Sequence, residues 1–440
     1  MTTAPDLHFQ VSPGGTLRGR MRVPGDKSIS HRAVMLGAIA EGRTEVEGFL
    51  EGEDSLATLR AFRSMGVTIK GPERGRLEIN GAGATGLCAP AAPLDLGNSG
   101  TSMRLLTGLL SGQRFPVTLR GDDSLSRRPM RRVTEPLVRM GASIQTSPGG
   151  TAPLHIAPSA GLRGISYEMP VASAQVKSAL LLAGLFADGE TCVAEPAPTR
   201  DHTERMLAAF GYPVLREGSR VCLTGGGRLT ACRLDIPGDI SSAAFFLVGA
   251  SIAPGSDLLL EHVGVNPTRV GVLNILREMG ADIVLTNKRE VGGEPVADLR
   301  VRAAPLNGIR IPNDQVPLAI DEFPAIFVAA ACAQGETLLT GAEELRVKES
   351  DRIQVMAEGL AALGVEVKTL PDGINIRGGT FGGGTVHARG DHRIAMSFAV
   401  AGLRARSTIE VWDCANVNTS FPGFSASAAR AGLLVREYAG

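Results

Sequence analysis

Aromatic residues, net charge and long apolar runs are all scarce in this sequence. Of 440 residues only 4% are aromatic, and 45 basic residues balance 45 acidic ones. Few rings leave few surfaces for stacking bases, and a balanced charge does not favour a protein that covers nucleic acid or an anionic membrane. Because no apolar run approaches the ~18 residues of a membrane span, we expect neither a nucleic-acid nor a membrane partner. The N-terminal stretch has no basic start followed by an apolar core, so we expect a cytoplasmic protein without a signal peptide.

Cysteine is also sparse and scattered. No C-x-x-C pair occurs, and no histidine stands at ligand spacing from a cysteine. This pattern favours buried free thiols in a reducing compartment over a disulfide or zinc framework, and we expect no metal site. Nucleotide motifs are missing too: there is no P-loop, and the G-x-G-x-x-G match at residues 81–86 runs into "LCAPAAP", which cannot open a helix over a pyrophosphate. The six cysteines are Cys88, Cys192, Cys222, Cys232, Cys332 and Cys414.

What the sequence does contain is one pattern that occurs six times. An apolar helix ending in glycine precedes a short alternating strand in "RSMGVTI", "VRMGASI", "AAFGYPV", "REMGADI", "AALGVEV" and "ARAGLLV". Glycine suits a helix C′ position because that position needs a positive φ. A small-residue apolar helix and a β-like run come before each of these helices, so we predict an α/β (α+β) fold of six βαβαββ units. The repeated glycines are Gly66, Gly141, Gly211, Gly280, Gly364 and Gly432.

Two similar turns indicate how the six units are divided. The first is "VPGDKSISHR" and the second "IPGDISSAAFF", and only the first is rich in charged residues. A chain of this length exceeds the roughly 250–300 residues of a single core. A Pro–Gly pair suits a hinge because proline fixes φ and glycine frees it. We predict one discontinuous domain of three units, residues 1–23 and 238–440, and one inserted domain of three units, residues 24–237. The predicted hinges lie near Pro24–Gly25 and Pro237–Gly238.

Polar residues gather at the starts of the predicted helices, and arginines gather in the loops. A helix N-terminus carries partial positive charge and unpaired N–H groups, so it binds anions well. Arginine binds carboxylate and phosphate through two parallel hydrogen bonds. A single arginine is more often a solvated surface charge, but recurrence at corresponding places favours a polyanion site, which we expect in a cleft between the two domains. The arginines concerned are Arg127, Arg128, Arg200, Arg346, Arg352 and Arg393.

Two acidic residues are candidates for proton transfer. Asp321, in "AIDEFPAIF", lies between apolar residues at a predicted helix start, where burial and neighbouring cations can tune a general base. An N-cap aspartate explains the same pattern equally well. Glu349, in "RVKESDR", stands three residues before Arg352, so a helix salt bridge is the simpler interpretation of that residue. The residues alone leave both choices open.

Together these motifs resemble one family, the 5-enolpyruvylshikimate-3-phosphate synthases (3-phosphoshikimate 1-carboxyvinyltransferases). The resemblance runs in order through nearly the whole chain, in "PGDKSISHR", "GNSGTSMR", "SRRPM", "ASAQVKSALLLAG", "TRDHTE", "IDEFP", "LRVKESDR", "DHRIAMSF" and "TSFP". It implies an enolpyruvyl transferase-like fold, with two domains of three βαβαββ units each that form an inside-out α/β barrel. It also implies transfer of the enolpyruvyl group of phosphoenolpyruvate to the 5-hydroxyl of shikimate 3-phosphate, in the pathway that leads to chorismate and the aromatic amino acids.

The resemblance implies a role for each matched position, with no metal or organic cofactor. The catalytic residues are Asp321 as the base for the 5-hydroxyl, Glu349 as the group that gives and later removes the C3 proton, and Lys27 as an aid to proton transfer. The residues that bind shikimate 3-phosphate are Lys27, Ser28, Arg32, Ser173, Ala174, Gln175, Arg200, Asp321 and Lys348. The residues that bind phosphoenolpyruvate are Lys27, Asn98, Gly100, Arg128, Gln175, Arg352 and Arg393.

Four positions matter for how closely the chain follows the family. Thr419 stands where well-studied members carry lysine, which leaves one phosphate contact unassigned. Glu344 replaces an asparagine and Ala174 a serine that many members carry. Gly100 keeps the smallest side chain where alanine occurs in members that exclude the herbicide glyphosate, so we expect glyphosate to inhibit. We also expect a monomer.

Two alternatives remain at this point. The UDP-N-acetylglucosamine enolpyruvyl transferases share the fold but use a cysteine in a mobile loop, and no cysteine here lies in a comparable Gly-rich loop. A non-catalytic polyanion-binding repeat protein needs the cations but gains nothing from acids in its site. Asp321 and Glu349 therefore distinguish an enzyme from a binder.

Overall fold

The computed structural model describes residues 7–439, in which α-helices and β-strands alternate along the chain. The helices are α1 (Lys27–Ile39), α2 (Glu53–Ser64), α3 (Gly100–Leu110), α4 (Asp123–Ser126), α5 (Arg131–Arg139), α6 (Ala174–Gly184), α7 (His202–Ala209), α8 (Ile240–Ile252), α9 (Gly271–Glu278), α10 (Phe323–Cys332), α11 (Arg352–Ala362), α12 (His392–Ala401) and α13 (Phe424–Ala431). Short 3-10 helices are Asn313–Gln315, Glu343–Val347, Gly402–Arg404 and Ala415–Thr419. Within this described part of the chain, no helix has both the length and the apolar character that a bilayer crossing requires.

The strands are mostly short. They are β1 (Leu7–Gly15), β2 (Arg18–Met21), β3 (Glu41–Glu47), β4 (Thr68–Glu73), β5 (Arg76–Ala82), β6 (Leu94–Asp95), β7 (Val117–Arg120), β8 (Ile144–Gln145), β9 (Leu154–Ile156), β10 (Leu162–Arg163), β11 (Ser166–Glu168), β12 (Ala187–Asp188), β13 (Glu190–Ala194), β14 (Leu215–Glu217), β15 (Arg220–Thr224), β16 (Arg233–Asp235), β17 (Asp257–Gly264), β18 (Asp282–Val291), β19 (Glu294–Arg302), β20 (Glu336–Leu339), β21 (Val367–Leu370), β22 (Gly373–Arg377), β23 (Gly384–His387), β24 (Ile409–Trp412) and β25 (Leu433–Ala439).

The chain divides into two compact units, each with its own hydrophobic core. The first unit comprises the described residues up to Pro24, then Pro237–Arg289, and the chain from Pro295 onward. The second unit comprises Gly25–Ile236 and the short segment Glu290–Glu294. One continuous cluster of buried apolar side chains fills each unit. The main divisions of the chain therefore fall at the two PGD turns.

The second unit contains three four-stranded sheets of one pattern. Their strand orders are β16-β3-β5-β4, β6-β7-β9-β8 and β11-β13-β15-β14. In each sheet the first pair is parallel and the next two pairs are antiparallel. Strand β16, the last of the unit, completes the sheet of β3, the first. A separate parallel pair, β10-β12, adds to the third repeat.

The first unit repeats this pattern with strands from both ends of the chain. Its sheets have the orders β23-β24-β1-β25, β18-β19-β17-β2 and β20-β22-β21. In the third sheet an isolated parallel bridge between Arg310 and Leu338 stands where the other sheets have a fourth strand. The α/β class and the six repeated units are thus confirmed.

The helix that opens each repeat lies inside, which explains why these helices are apolar on every side. All residues of α8 and α12 are buried, and α1, α3 and α6 are buried along most of their length. Small residues let such helices approach closely. A Cβ added to Gly108 of α3 would lie only 2.1 Å from the carbonyl oxygen of Ala179 in α6. The sheets cover these central helices from outside.

The repeated glycines occupy the helix ends for which they were predicted. Each follows the C-terminal turn of a helix, and each has a positive φ between 77° and 116°. The helices that they end are α2, α5, α7, α9, α11 and α13. A C′ glycine is therefore confirmed in five repeats, and in the sixth Gly432 is the C-cap itself, also with a positive φ.

The cysteine expectation was wrong for one pair. Cys192 and Cys222 form a disulfide between β13 and β15, with their Cα atoms 4.1 Å apart. The two residues are direct partners in the antiparallel register, a relation that their separation of 30 residues conceals. Of the free cysteines, only Cys414 is buried, and Cys88 is exposed. Glu190 with this pair forms the one group of three potential metal ligands among residues 7–439, but its sulfurs are bonded to each other.

Candidate active site

Polar side chains cap helices of both units at the ends where the predicted site residues lie. A cap satisfies one of the unpaired N–H groups and leaves the others available to an anion. In the second unit the capping residues are Asp26 for α1, Ser99 for α3 and Ser173 for α6. In the first unit they are Asp239 for α8, Asp351 for α11 and Asp391 for α12.

Lys27 begins α1, and a carboxylate that the sequence did not reveal restrains it. Its Nζ lies 3.1 Å from Asp54 Oδ2, at the start of α2. The two side chains are 15% and 10% exposed. The ammonium is therefore held near a helix N-terminus and still reaches the surface, as a group that meets an anionic substrate requires.

Arg32 joins three helices of the second unit. Its guanidinium donates to Thr203 Oγ1 at 2.6 Å, to Ser178 Oγ at 2.8 Å and to the Ser28 carbonyl at 2.8 Å. Burial lowers the pKa of Arg32 to about 10, and the carboxylate of Glu204 acts in the opposite direction. Arg32 consequently remains a cation at neutral pH and ties α1 to α6 and α7.

The segment that contains Arg200 is anchored at both ends by one buried lysine. Lys177 in α6 has no exposed side-chain surface, and its Nζ lies 3.0 Å from Glu195 and 2.7 Å from Glu204. Glu195 follows β13, and Glu204 lies in the first turn of α7. Because Arg200 stands between these two carboxylates in the chain, the buried ion pairs restrict where its loop can lie.

Arg128, Asn98 and Gly100 lie together at the start of α3. Arg128 Nη2 donates to Asn98 Oδ1 at 2.6 Å, and Asn98 Nδ2 donates to Asp122 Oδ2 at 2.8 Å. A Cβ on Gly100 would lie 3.0 Å from Arg128 Nη1 and 3.2 Å from Arg104 Nη1. The glycine thus leaves room for two cations beside a helix N-terminus.

Gln175 connects α6 to α3. Its Oε1 accepts a hydrogen bond from Arg104 at 2.6 Å, and its Nε2 donates to Thr101 Oγ1 at 3.1 Å. Ser173 and Ala174 stand directly before it, as the cap and the first residue of α6. Arg104 was not among the predicted residues, although it lies within the matched motif "GNSGTSMR".

A buried chain of polar side chains, one imidazole and three hydroxyls, links α1, α2 and α3, a feature that we call the histidine relay. His31 Nδ1 lies 2.7 Å from Thr58 Oγ1, which lies 2.6 Å from Ser102 Oγ, which in turn lies 2.7 Å from Ser99 Oγ. Burial, with Lys27 and Arg32 as nearby cations, holds the pKa of His31 well below its usual value, so the imidazole is neutral. The relay links three helices of the second unit, α1, α2 and α3.

In the first unit the predicted residues gather around Arg352. This side chain is 1% exposed and donates through Nε to Asp391 Oδ2 at 2.8 Å, through Nη2 to Glu349 Oε2 at 2.6 Å and through Nη1 to Asp321 Oδ1 at 3.2 Å. Burial alone would lower the pKa of Arg352, but the carboxylates of Asp391, Glu349 and Asp321 outweigh it and raise the pKa. One guanidinium therefore positions both candidate proton-transfer groups.

Asp321 is not an N-cap, which removes one of the two interpretations of this residue. The N-cap of α10 is Glu322, and Asp321 precedes it. The Asp321 carboxylate also faces Lys348 Nζ at 3.8 Å, and its backbone carbonyl accepts from Arg393 Nη1 at 3.1 Å. Three cations thus surround a carboxylate that is still 15% exposed.

Glu349 does form the expected ion pair with Arg352, but not along a helix. Helix α11 begins at Arg352 and is capped by Asp351, so Glu349 lies before the helix. Its side chain is 22% exposed, whereas Arg352 is buried. The pair thus holds a carboxylate at the surface of the site, an arrangement that an exposed helix salt bridge does not explain.

Thr419 has a local partner. Its hydroxyl donates to the Asn416 carbonyl at 2.7 Å and closes the turn Ala415–Thr419, while Asn416 Nδ2 donates to the Gly390 carbonyl at 2.7 Å. Gly390 directly precedes Asp391, the cap of α12 and the partner of Arg352. Asp54 and Asn416 are therefore supporting residues outside the matched motifs, and Asp391 is a third that stands in "DHRIAMSF" but was given no role.

Each unit thus presents cations at helix starts, and the first unit adds two partly exposed carboxylates that share one arginine. Cations and helix N-termini bind phosphate and carboxylate groups, and carboxylates at a surface can move protons. Fold and clusters together define an α/β repeat enzyme that acts on small polyanions by acid–base chemistry.

Comparison with known proteins identifies the family within this class of enzymes. The profile of the EPSP synthase family (3-phosphoshikimate 1-carboxyvinyltransferase) matches residues 11–427. The 3-phosphoshikimate 1-carboxyvinyltransferase of Alkalilimnicola ehrlichii is 70% identical over 97% of this chain and 96% of its own, and that of Methylococcus capsulatus is 69% identical over 97% and 98%. The structure of EPSP synthase from Acinetobacter baumannii matches with a TM-score of 0.89 at 56% identity, covering 98% of this chain and 100% of that one. The chain belongs to the EPSP synthase family, as its motifs predict.

Proposed function

We propose that the protein transfers the enolpyruvyl group of phosphoenolpyruvate to the 5-hydroxyl of shikimate 3-phosphate, giving 5-enolpyruvylshikimate 3-phosphate and inorganic phosphate. The observation that carries this proposal is the pair of partly exposed carboxylates, Asp321 and Glu349, on the buried guanidinium of Arg352. A protein that only binds polyanions gains nothing from acids in its site, whereas proton transfer requires them. Family membership supports the same reaction.

Both substrates carry several negative charges, and the cations at the helix starts suit them. We assign shikimate 3-phosphate to Lys27, Ser28, Arg32, Ser173, Ala174, Gln175, Arg200, Asp321 and Lys348. We assign phosphoenolpyruvate to Lys27, Asn98, Gly100, Arg128, Gln175, Arg352 and Arg393.

The reaction is an addition followed by an elimination. Asp321 accepts the proton of the 5-hydroxyl while that oxygen attacks C2 of phosphoenolpyruvate, and Glu349 delivers a proton to C3. The tetrahedral intermediate then loses a C3 proton to Glu349 as the bond between C2 and the phosphate oxygen breaks, and the departing phosphate takes up the proton that Asp321 accepted. Lys27 assists these transfers, and the surrounding cations stabilise the developing charge.

The direct test measures phosphate release from phosphoenolpyruvate with two acceptors. Release with shikimate 3-phosphate and not with UDP-N-acetylglucosamine is the expected result. Release only with the nucleotide sugar would keep the fold and overturn the acceptor, and release with neither would favour a binding protein.

The assignment of the base is tested by replacing Asp321 with asparagine. The variant keeps the shape of the side chain but cannot accept the proton, so turnover is expected to fall about 10²-fold or more while substrate binding changes little. Steady-state kinetics and calorimetric binding of shikimate 3-phosphate measure the two effects. Asp314→Asn is the control, because Asp314 is exposed and its carboxylate accepts a hydrogen bond from the side chain of its neighbour Gln315. An unchanged rate in the Asp321 variant would exclude this residue as the base.

Glyphosate is proposed as an inhibitor that occupies the phosphoenolpyruvate site, since it too carries a carboxylate and a phosphorus oxyanion. Normal turnover at millimolar glyphosate would contradict this assignment. A monomeric, cytoplasmic enzyme is proposed as well, and sedimentation velocity and cell fractionation measure these two properties.

A further inference from the structure

The first unit contains another buried polar cluster, which forms around the second PGD turn and which the matched motifs leave without a role. Asp239 of this turn caps α8 and accepts the N–H of Ser241 at 2.8 Å. Arg269 donates through Nη2 to the Ser241 hydroxyl at 2.7 Å and lies 3.3 Å from Asp239 Oδ1. Arg269 is only 2% exposed. The second turn therefore carries charge too, but in a buried ion pair.

The same cluster holds Glu322, the residue that follows Asp321. The Ser241 hydroxyl donates a hydrogen bond to Glu322 Oε1, and Arg269 Nη2 lies 3.7 Å from the same oxygen. The Glu322 side chain has no exposed surface. As the N-cap of α10, Glu322 accepts the first helical hydrogen bond at its carbonyl, from Ile326, while its N–H donates to the Ala319 carbonyl in the preceding turn. The cluster thus ties the start of α10 to the start of α8.

Asp321 and Glu322 are consecutive acids with different surroundings. Asp321 contacts Arg352 and Lys348, whereas Glu322 contacts Ser241 and Arg269. One peptide bond joins the two residues, so the place of the Glu322 side chain restricts the backbone from which the Asp321 carboxylate extends. A displacement of about 1 Å at a reacting group can lower a rate about 10²-fold.

The chemistry of the cluster favours a role in orienting a neighbouring side chain over a role in stabilising the fold. Burying an ion pair removes two charges from water, and well-packed apolar residues of equal volume often stabilise a fold as well or better. A buried glutamate with a defined hydroxyl and guanidinium partner has one strongly preferred orientation. Such an orientation is useful directly beside a group that must meet a substrate hydroxyl.

We propose that Glu322, held by Ser241 and Arg269, is a positioning residue for Asp321: it sets the orientation in which the Asp321 carboxylate meets the 5-hydroxyl. This inference rests on the proposed function, in which Asp321 is the base.

The test is a single-turnover measurement with enzyme in excess over shikimate 3-phosphate and with saturating phosphoenolpyruvate. Its rate constant does not depend on the fraction of enzyme that is active. Ser241→Ala removes the hydrogen bond to Glu322 and leaves every charge in place. We expect this variant to lower the rate constant about 10-fold and to leave the dissociation constant for shikimate 3-phosphate within about 2-fold of wild type. Ser241→Thr keeps the hydroxyl and is expected to recover most of the rate.

The matched control is Ser251→Ala, on the same helix. Ser251 is as buried as Ser241, but its hydroxyl donates to the Leu247 carbonyl of its own helix at 2.8 Å. Removing it is expected to leave the single-turnover rate unchanged. A control variant as slow as Ser241→Ala would overturn the proposal, because any loss of a buried hydroxyl from α8 would then suffice.

A second variant, Glu322→Asp, carries the test if Ser241→Ala does not fold. It keeps the charge and shortens the side chain by one methylene, so contact with Ser241 requires a shift of the Asp321 backbone. We expect a similar loss of rate, about 10-fold. Wild-type rate constants in the folded variants would overturn the proposal, as would a rate loss matched by an equal loss of affinity.

The variant Asp321→Asn, measured in the same assay, separates this inference from the proposed function. A normal rate in that variant removes the base assignment itself. A slow Asp321→Asn together with normal Ser241→Ala and Glu322→Asp variants removes only the positioning role of Glu322.

Discussion

Gly100 shows at the scale of one residue how a missing side chain shapes the second unit. Its hydrogen atom faces the guanidinium groups of Arg128 and Arg104, which lie 3.0 Å and 3.2 Å from where a Cβ would be. Arg128 is bonded to Asn98, and Arg104 is bonded to Gln175. A side chain at position 100 therefore displaces two cations at once, and with them two residues assigned to phosphoenolpyruvate.

Replacing Gly100 with alanine is expected to weaken the binding of glyphosate more than the binding of phosphoenolpyruvate. Glyphosate has one more atom between its carboxylate carbon and its phosphorus, so it has less freedom to shift away from a new methyl group. We expect KM for phosphoenolpyruvate to rise several-fold and the inhibition constant for glyphosate to rise about 10-fold or more. Steady-state kinetics across a glyphosate titration measure both constants.

Gly149→Ala is the control for this substitution, because no atom lies closer than 3.9 Å to an added Cβ and its φ is not positive. Equal changes in both constants for Gly100→Ala would contradict the steric argument. So would a Gly149→Ala variant with the same kinetics as Gly100→Ala.

Single residues differ in how far the sequence reveals them. Lys27 and Asp321 stand in long motifs, and the structure places each at a helix start beside a residue of opposite charge. Asp54 and Asp391 hold Lys27 and Arg352, yet each is one carboxylate at an ordinary helix start. Their importance depends on which helices are neighbours, and no local pattern encodes that.

At the scale of helices, the histidine relay joins α1, α2 and α3 through one neutral imidazole. His31 is buried at one end of the relay and faces Lys27 and Arg32 from its own helix. A charged imidazole is disfavoured there by burial and by both cations. In the unfolded chain the same imidazole takes up a proton near its ordinary pKa of about 6.5.

The free energy of unfolding is therefore expected to decrease as the pH is lowered below about 6.5. The unfolded state binds the proton first because the folded-state pKa is lower, so His31 destabilises the fold as the pH drops, by at most ~1.4 kcal/mol per pH unit. His31→Gln removes this proton uptake and keeps an amide that can bond Thr58. Urea unfolding measured from about pH 7.5 to about pH 4.5 gives the free energy of unfolding across the titration of the imidazole. This free energy should depend less steeply on pH for the variant than for wild type.

His155→Gln serves as the control for the relay. His155 makes the same kind of contact, with its Nδ1 2.9 Å from Thr118 Oγ1, but it is exposed on β9. Its replacement is expected to leave the pH dependence as in wild type. Parallel curves for wild type and His31→Gln would contradict the account of the relay.

Elements were predictable where local chemistry decides them. The six glycines at helix ends and the polar caps follow from backbone rules that act within a few residues, and the structure confirms them. The register of the strands is different, because it depends on partners far apart in the chain. The disulfide between Cys192 and Cys222 was missed for that reason, since only the pairing of β13 with β15 brings the two cysteines together.

At the scale of the whole molecule, the disulfide belongs to the second unit and its separate core. It closes a loop between residues 30 apart, which corresponds to about 3 to 4 kcal/mol of stabilisation in the chain-entropy account. Calorimetry of the oxidised protein and of the Cys192→Ala/Cys222→Ala variant is expected to show a lower melting temperature for the second unit and an unchanged one for the first.

Reductant provides the control for this prediction. Dithiothreitol should lower the melting temperature of the second unit in wild type and have no effect on the double variant. Cys232→Ala, which removes a free cysteine of the same unit, should retain the response to reductant. If dithiothreitol changed neither of the two melting temperatures of the oxidised protein, the prediction would be contradicted.

The place of β1 has a consequence for the order in which the molecule is made. Phe9 in β1 pairs with Val411 in β24 and with Glu437 in β25, so the first strand of the fold waits for partners some 400 residues later. A ribosome needs on the order of 20 to 80 s to cover that distance. During this interval nearly all of the second unit has left the ribosome and can fold, while β1 remains an unpaired edge; β2 finds its partner sooner, in β17. The sheet that contains β1 can therefore form only after β24 and β25 have been synthesised. Until then the unpaired β1 is exposed to misassociation in the cell.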